Sequence, residues 1–176
     1  MRKIILSVAV SLDGLIEGPN GEYDWCLTDQ DYGLSEFFSR VDTMFLGRKS
    51  YELFYSSPEN SFGLPKMKEY VFSNTLEKVK DDAVLINGDI KTEVAKIKAE
   101  KGKDIWLFGG ASLTTSLMNL GLVDELMMGI HPIILGSGKP AFQHLDSRTT
   151  LTLTRSEKFE TGLLMCYYDV HSNLKA

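Results

Sequence analysis

The segment Lys3–Val10 (KIILSVAV) is a continuous apolar run rich in β-branched residues. Such a run is typical of a strand buried on both faces of a sheet. Similar runs alternate with amphipathic helical segments, which predicts a mostly parallel sheet covered by helices on both faces. The predicted strands are Lys3–Val10, Thr43–Leu46, Glu69–Ser73, Ala83–Ile86, Asp104–Phe108 and Glu125–Leu135, and the predicted helices are Asp29–Val41, one starting within Ser50–Phe54, Thr92–Lys101 and one ending near Leu120 with Gly121 as its C-cap.

The segments Thr150–Thr154 and Leu163–Val170 also have strand character, but no helical segment separates them. Two consecutive strands without a crossover helix pair antiparallel. The sequence therefore predicts an α/β fold of three layers, α/β/α, with a mostly parallel central sheet and antiparallel C-terminal edge strands. Two segments rich in Gly, Pro, Asn and Ser, Leu12–Asp24 and Ser56–Pro65, are predicted to be loops.

The composition narrows the class of protein. A length of 176 residues fits one domain, 1–176. Nineteen basic and 24 acidic residues give a net charge of -5, which argues against sequence-independent binding of nucleic acid. The longest uncharged apolar stretches, such as Ile4–Leu12, are far shorter than the ~20 residues of a membrane-spanning helix. Cys26 and Cys166 form no disulfide framework, and the three histidines have no metal-ligand spacing, so we expect a cytoplasmic protein without a metal.

In a parallel sheet, ligands bind at the carboxyl ends of the strands. The predicted strand Asp104–Phe108 leads into Gly109-Gly110-Ala111-Ser112 and a helix. Two glycines let the backbone approach a ligand closely, and a helix N-terminus offers free N–H groups and a positive dipole end. These features favour a phosphate site, although a tight strand-to-helix turn without a ligand explains the glycine pair equally well.

A second strand-to-helix turn, Gly47-Arg48-Lys49-Ser50, presents two adjacent cations and a hydroxyl group. Arg48 and Lys49 can hold the additional phosphate that distinguishes NADPH from NADH. A solvated basic start of a helix is the alternative, and it is the commoner role of an isolated Arg-Lys pair.

Two weaker turns follow other strands. Ser73 and Asn74 end the third predicted strand, although both are ordinary turn residues. The Gly-rich segment Gly136–Pro140 can also let the backbone approach a ligand. Several such turns at one edge of a sheet are stronger evidence for a site than any one of them.

Two carboxylates are candidates for handling protons. Asp13 follows the first strand, and Asp31 is predicted in the first turn of the first helix, six residues after Trp25. A carboxylate half-buried beside an aromatic ring has a raised pKa and can transfer protons. The alternatives are a turn cap for Asp13 and a charge that complements the helix dipole for Asp31. The residues alone favour these alternatives.

Five segments carry a family resemblance by their order and spacing: SLDG (Ser11–Gly14), MFLGRKSYE (Met44–Glu52), YVFSN (Tyr70–Asn74), WLFGGASL (Trp106–Leu113) and HPIILGSGKPAF (His131–Phe142). Together they resemble the dihydrofolate reductase-like superfamily, and most closely the branch that includes the reductase domain of bacterial riboflavin biosynthesis. The resemblance covers roughly residues 3–170.

The resemblance implies a three-layer α/β/α fold and an NADPH site. It implies that Ala9 lies beside the nicotinamide and that Trp25, in the loop covering the active site, contacts the substrate. Asp31 is then the first candidate for organising the proton, and Asp13, on the substrate side, is the second. The residues that the resemblance assigns to NADPH binding in the turns are Gly47, Arg48, Lys49, Ser50, Ser73, Asn74, Gly109, Gly110, Ala111, Ser112 and Leu113.

The sequence departs from both branches of the superfamily at substrate positions. Folate enzymes place an arginine where this chain has Met67, and a thioether cannot bind a carboxylate. Riboflavin-type reductases place a glutamate before the Gly-Gly pair, where this chain has Phe108. The zinc-ligand signature of the deaminase that is often fused to that reductase is absent from the sequence.

The sequence therefore predicts an NADPH-dependent reductase that transfers hydride to a C=N or C=O carbon of a small heterocyclic or ribosylated substrate. The first candidate substrate is 5-amino-6-(5-phosphoribosylamino)uracil of riboflavin biosynthesis, and dihydrofolate or a dihydropterin is the second. An NADPH-binding module without turnover is the alternative of another class. The expected partner is a small-molecule substrate, with no nucleic acid and no membrane. A homodimer is an expectation that only the family resemblance implies.

Overall fold

A computed structural model of the protein describes residues 1–56 and 63–171. Part of the predicted loop Ser56–Pro65, at 57–62, lies outside the described residues. The elements in chain order are β1 (Ile4–Ser11), β2 (Leu15–Glu17), α1 (Leu34–Arg40), β3 (Val41–Gly47), α2 (Arg48–Ser56), β4 (Lys68–Phe72), β5 (Ala83–Ile86), α3 (Ile90–Ala99), β6 (Asp104–Gly109), α4 (Ala111–Asn119), β7 (Glu125–His131), β8 (Lys139–Pro140), β9 (Thr150–Lys158) and β10 (Leu164–His171).

Eight strands form one sheet in the order β5-β4-β3-β6-β1-β7-β10-β9. The six strands from β5 to β7 run parallel to one another. Strand β10 pairs antiparallel with β7, and β9 pairs antiparallel with β10 at the edge. This topology confirms the predicted fold class, including the antiparallel C-terminal strands.

The central strands are buried on both faces, as their continuous apolar sequences predict. In β1, Ile4 and Leu6 pack in one core cluster together with residues of α3 and α4, whereas Ile5 packs in a second cluster that contains Phe37 of α1. Tyr51 of α2 packs against this second cluster. The sheet therefore separates α3 and α4 from α1 and α2, which gives three layers.

Several element boundaries differ from the prediction. Helix α1 begins at Leu34, not at residue 29, because Tyr32 and Gly33 have φ angles of 49° and 81°. Strand β7 ends at His131, because Pro132 has no N–H for the sheet. Helix α3 begins two residues early, where the Asp89 side chain accepts a hydrogen bond from Thr92 N.

The predicted loop Leu12–Asp24 contains the short strand β2, which pairs with β8. After the C-terminal end of α4, Gly121 takes the left-handed conformation that is typical of a residue ending a helix, with φ 64°. Over residues 1–56 and 63–171, no helix has both the length and the hydropathy that a membrane span requires.

Candidate active site

The turns that the sequence singled out follow strands that run in the same direction. Because β1, β3, β4, β6 and β7 are parallel, their carboxyl ends lie at one edge of the sheet, which we call the rim. Strand β3 leads to its neighbour β4, whereas β6, on its other side, leads to β7 beyond β1. The crossovers thus diverge between β3 and β6, and ligands bind at such a divergence in open α/β sheets.

The glycine turns after β3 and β6 contact each other. A Cβ placed on Gly47 would lie 3.5 Å from the backbone N of Gly110 and 3.5 Å from Leu113 Cβ. A Cβ placed on Gly110 would lie 2.9 Å from the Ser50 Oγ, which is too close for an unshifted alanine. The peptide bond between Gly109 and Gly110 is cis. The two turns therefore form one glycine-lined cradle in which the backbones approach each other.

Two helices start at this cradle. Helix α2 begins at Arg48 directly after β3, and α4 begins at Ala111 after the N-cap Gly110, which makes no side-chain capping bond. The first N–H groups of a helix have no partner within the helix, and they carry the positive end of its dipole. The cradle thus has the donors and the open backbone that phosphate groups require.

The cations of the second turn lie on the surface at the rim. Arg48 Nη1 pairs with Glu52 Oε1 at 3.2 Å within α2, and both side chains are more than 40% exposed. An exposed pair of this type contributes only about 0.3–0.5 kcal/mol, so Arg48 can exchange Glu52 for a phosphate at little cost. Lys49 is exposed and forms no ion pair with any residue of the described ranges.

The turn after β4 closes on itself. Ser73 Oγ accepts hydrogen bonds from Thr75 N at 3.1 Å and Leu76 N at 3.0 Å. This use of the Ser73 hydroxyl is a turn role, whereas Asn74 stays exposed beside it at the rim. The loop 15–25, which the resemblance places over the active site, is called the lid loop here. The Gly-rich turn before β8 approaches it, since a Cβ on Gly138 would overlap the carbonyl oxygen of Glu17.

The Asp13 carboxylate binds the loop that follows β7. It accepts hydrogen bonds from Ser11 Oγ at 2.6 Å, from Leu135 N at 3.2 Å and from Gly136 N at 2.8 Å. The Ser11 hydroxyl and these backbone donors lower the pKa of Asp13 to about 2. Asp13 is therefore an ionised acceptor that joins two turns of the rim.

Asp31 lies in the turn before α1, whereas the sequence predicts it in the first turn of that helix. Its carboxylate accepts hydrogen bonds from Ser35 Oγ at 2.6 Å, Ser35 N at 3.0 Å and Gly33 N at 3.1 Å. The Ser35 donors lower the pKa of Asp31, and the side chain is exposed. Asp31 is therefore not a half-buried carboxylate with a raised pKa, the surroundings that would suit it to transferring protons.

Trp25 packs against a histidine that the sequence did not single out. Its ring meets that of His131 edge to face, with 5.3 Å between the centroids. His131 Nδ1 accepts a hydrogen bond from Leu27 N at 3.3 Å, and burial lowers the pKa of His131. The signal that could have identified His131 is its position as the last residue before Pro132, at the carboxyl end of a buried strand.

The sheet surface beside His131 carries small side chains. Ala9 of β1 pairs with Gly129 of β7, and Ser11 pairs with His131 two residues further along. Alternate residues of a strand lie on the same face, so all four residues lie on the face that also carries Ile5 and α1. The pair Ala9–Gly129, which we call the floor, lies where the resemblance places the nicotinamide. Ala9 is half-buried, and Gly129 is buried with Met165 Cε 3.4 Å from the place of a Cβ.

Aromatic rings form a wall on the same face. The ring of Phe108 packs edge-on against Trp106 and Phe54, with centroid distances of 5.1 Å and 5.8 Å. Where riboflavin-type reductases place a glutamate, this chain therefore has an apolar surface.

Comparisons with known proteins agree with this architecture. The family model described as RibD C-terminal domain matches residues 2–165. The uncharacterized protein YyaP of Bacillus subtilis (strain 168) is 45% identical over 177 residues, which cover 95% of this chain and 94% of YyaP. The crystal structure of a Shewanella sp. PV-4 protein named for riboflavin biosynthesis has a TM-score of 0.83 and 26% identity, over 96% of this chain and 99% of its own. Dihydrofolate reductase from Enterococcus faecalis shares the fold, with a TM-score of 0.68 and 18% identity, over 97% of this chain and 96% of its own.

Proposed function

The chain belongs to the RibD C-terminal domain family, and on this premise we propose that it is an NADPH-dependent reductase of a small heterocyclic substrate. The observation that carries the proposal is the cradle at the rim. There, the starts of α2 and α4 meet through Gly47 and Gly110, and the first backbone N–H groups of both helices have no partner within their helix. A dinucleotide offers the phosphates that such a cradle binds. Dihydrofolate reductase from Enterococcus faecalis, which shares this fold, forms a complex with NADP(H).

In this proposal the chain binds and orients NADPH, and the cofactor supplies the hydride when it is bound. The backbone N–H groups at the start of α4 hold the diphosphate, and Arg48 and Lys49 hold the 2′-phosphate. Ser50 lines the cradle beside Gly110, and Asn74 extends the binding surface along the rim. Ala9 stands where the resemblance places the nicotinamide, and its methyl group is small enough for a flat ring to approach the strand.

The substrate that we propose first is 5-amino-6-(5-phosphoribosylamino)uracil, and dihydrofolate or a dihydropterin comes second. One observation makes folate the weaker candidate. Met67, at the position where folate enzymes place an arginine, packs against the second core cluster, and the nearby Lys66 and Lys68 are exposed point charges without the bidentate geometry of an arginine. The wall at Phe108 bears on the other candidate, because it stands where riboflavin-type reductases place a glutamate and offers no polar contact to a sugar.

The test is an assay with purified full-length protein. NADPH is mixed with 5-amino-6-(5-phosphoribosylamino)uracil, and in parallel with dihydrofolate and a dihydropterin, and loss of the reduced nicotinamide absorbance is followed. We expect NADPH oxidation with at least one of these compounds and little with NADH. Absence of NADPH binding in a thermal-shift titration would contradict the proposal, since a ligand at 100 times its Kd stabilises a protein by about 2.7 kcal/mol.

An NADPH-binding module without turnover is the second candidate function. It is favoured by the hydrogen bonds of Asp13 and Asp31, because both carboxylates are occupied by backbone and hydroxyl donors of their own turns. Saturable NADPH binding without oxidation by any of the three compounds would support the module. Turnover of any one of them would exclude it.

A further inference from the structure

We propose that His131 is a neutral hydrogen-bond donor that positions the substrate, by presenting Nε2–H to a carbonyl oxygen or ring nitrogen of a heterocycle above the floor of Ala9 and Gly129. The inference rests on the proposed function and deepens it, because it assigns a residue to the substrate and a chemical character to the edge of the substrate that His131 meets. His131 is absent from the residues that the sequence assigned to the site.

The position of His131 is the first support. It is the last residue of β7, it is 3% exposed, and it lies in register with Ser11 at the rim. A Cβ placed on Gly129 would lie 3.9 Å from His131 Nε2 and 3.4 Å from Met165 Cε. Nε2 therefore lies over the floor and not toward the outer surface of the lid loop.

The tautomer follows from the hydrogen bond on the other ring nitrogen. Leu27 N donates to His131 Nδ1 at 3.3 Å, so Nδ1 is an acceptor and carries no hydrogen. In a neutral imidazole the hydrogen then lies on Nε2. Burial lowers the pKa of His131, which keeps the ring neutral at physiological pH.

Two donors at this place have no protein acceptor. Across the described ranges, His131 Nε2 makes no hydrogen bond, and Trp25 Nε1 is fully buried without a partner. The two rings are in contact at 5.3 Å. Native proteins leave few buried donors unpaired, and the buried Trp25 N–H next to the unpaired Nε2 of His131 points to an acceptor that is brought in by a ligand.

The neighbouring carboxylates do not supply that acceptor. Asp13 binds the turn at Leu135 and Gly136, and Asp31 binds the turn before α1. A substrate edge that presents carbonyl oxygens or unprotonated ring nitrogens would satisfy His131, whereas an edge of N–H groups would meet a donor. The geometry thus selects an acceptor-rich heterocycle, as in a pyrimidine-dione or a pterin.

Two substitutions separate the two nitrogen atoms of the ring. The amide of asparagine reaches the position of Nδ1, so His131→Asn keeps an acceptor for Leu27 N but removes the donor over the floor. The longer glutamine reaches the position of Nε2, so His131→Gln restores a donor there. His171→Gln is the matched control, because His171 lies at the end of β10 and contacts Thr152.

The first readout is binding of 5-amino-6-(5-phosphoribosylamino)uracil to the NADP⁺-loaded protein, measured by titration calorimetry. We expect His131→Asn to raise the Kd at least tenfold, His131→Gln to recover at least threefold of that loss, and His171→Gln to match the wild type. The NADPH affinity should be the same in all four proteins. Wild-type affinity in His131→Asn, or equal losses in both His131 variants, would overturn the inference.

The second readout needs no substrate. Nitrogen-15 NMR of the protein should show Nδ1 of His131 unprotonated and Nε2 protonated, and a spectrum of the opposite tautomer would overturn the inference. The two proposals fail in distinguishable ways. A wild-type protein that does not bind NADPH contradicts the proposed function, whereas wild-type turnover with a fully active His131→Asn contradicts only the role of His131.

Discussion

Asp13 and Asp31 show how the local role of a residue depends on geometry that the sequence does not contain. Both were recognisable as polar groups at the start or end of an element. Each carboxylate accepts three hydrogen bonds from nearby donors, and each pKa is lowered as a result. The pKa of His131 is lowered for another reason, because the ring is buried and burial disfavours its charged form. A pattern of residue types predicts neither the loop that folds back on Asp13 nor the burial of His131.

Asp31→Asn tests whether Asp31 handles a proton. A residue that supplies the proton typically contributes about 100-fold or more to the rate, whereas we expect less than a tenfold loss, because Asp31 caps the turn before α1. Asparagine retains one acceptor oxygen, which keeps the hydrogen bond from Ser35 N and loses the one from Gly33 N, so the midpoint of thermal unfolding should fall only slightly. The measurement is kcat at saturating NADPH, with Ser35→Ala as the control that removes the same hydroxyl bond. A collapse of kcat in Asp31→Asn alone would return the proton role to Asp31.

The pKa of Asp13 predicts a pH dependence of stability. Its folded value of about 2 lies below the ordinary value of 3.8, so the folded state favours the ionised carboxylate. The stabilisation is present above pH 3.8 and is lost as the pH falls toward 2. We expect Asp13→Asn to be less stable than the wild type at pH 7 and to lose less stability than the wild type when the pH is lowered to about 3. Urea unfolding at both values measures this, and parallel losses in the two proteins would contradict the assignment.

Arg48 is the residue that should discriminate NADPH from NADH. Loss of a hydrogen bond to a charged group costs about 1.5–3 kcal/mol, so Arg48→Ala should weaken NADPH binding about tenfold or more and leave NADH nearly unchanged. Glu52→Gln is the matched control, because it frees Arg48 from its partner and should bind NADPH at least as tightly as the wild type. Equal losses of affinity for NADPH and NADH would show that Arg48 does not bind the 2′-phosphate.

At the scale of elements, the strands with continuous apolar runs were predicted well and the irregular pieces were not. Strand β5 has the predicted bounds, β6 extends one residue further, and β1 begins and ends one residue later than predicted. The three-residue strand β2 was missed because its pairing partner β8 lies more than 120 residues away. The left-handed Tyr32 shortens α1, which begins where the helical spacing of apolar residues begins, at Leu34. Long-range pairing and single backbone angles decide these places, and periodicity reports neither.

The close contact in the cradle between α2 and α4 predicts that a larger residue at Gly110 weakens NADPH binding. Gly110→Ala places a Cβ 2.9 Å from Ser50 Oγ, so the turn or the serine must shift. We expect NADPH binding to weaken about tenfold or more, since one misplaced charged hydrogen bond is worth about 1.5–3 kcal/mol. Gly88→Ala, where the added Cβ meets Glu93 Cγ at an ordinary 3.7 Å, is the control and should bind normally. Titration by fluorescence measures both, and unchanged affinity in Gly110→Ala would place the cofactor elsewhere.

At the scale of the whole molecule, the two edges of the sheet differ in character. The rim carries the cradle, the floor and the unpaired donors. The opposite edge, where the parallel strands begin, carries ion pairs that join distant segments, among them Arg2–Asp42, Lys98–Asp124 and Arg40–Glu125. In the open cleft at that edge, Arg2 pairs with Asp42 and Lys98 pairs with Asp124, so neither of these two cations is available to a substrate. The homodimer stays a prediction.

This separation predicts that stability and cofactor binding can be changed independently. Arg2 is buried, and its guanidinium donates to Asp42, to Thr43 Oγ1 and to the carbonyl of Lys103. Arg2→Met leaves these acceptors without their donor, and because Asp42 is 41% exposed we expect the free energy of unfolding to fall by about 2–3 kcal/mol.

The control for Arg2→Met is Lys96→Gln, which removes a cation from an exposed pair with Glu93 and should cost no more than about 0.5 kcal/mol. Urea unfolding gives the stability of each variant, and NADPH titration below the unfolding transition gives its affinity. We expect the folded Arg2→Met protein to bind NADPH with the wild-type Kd, because Arg2 lies at the edge where the parallel strands begin, one strand length from the cradle. A Kd that rises together with the loss of stability would mean that the two edges are coupled through β1 and β3, and that the cradle is assembled by the whole sheet.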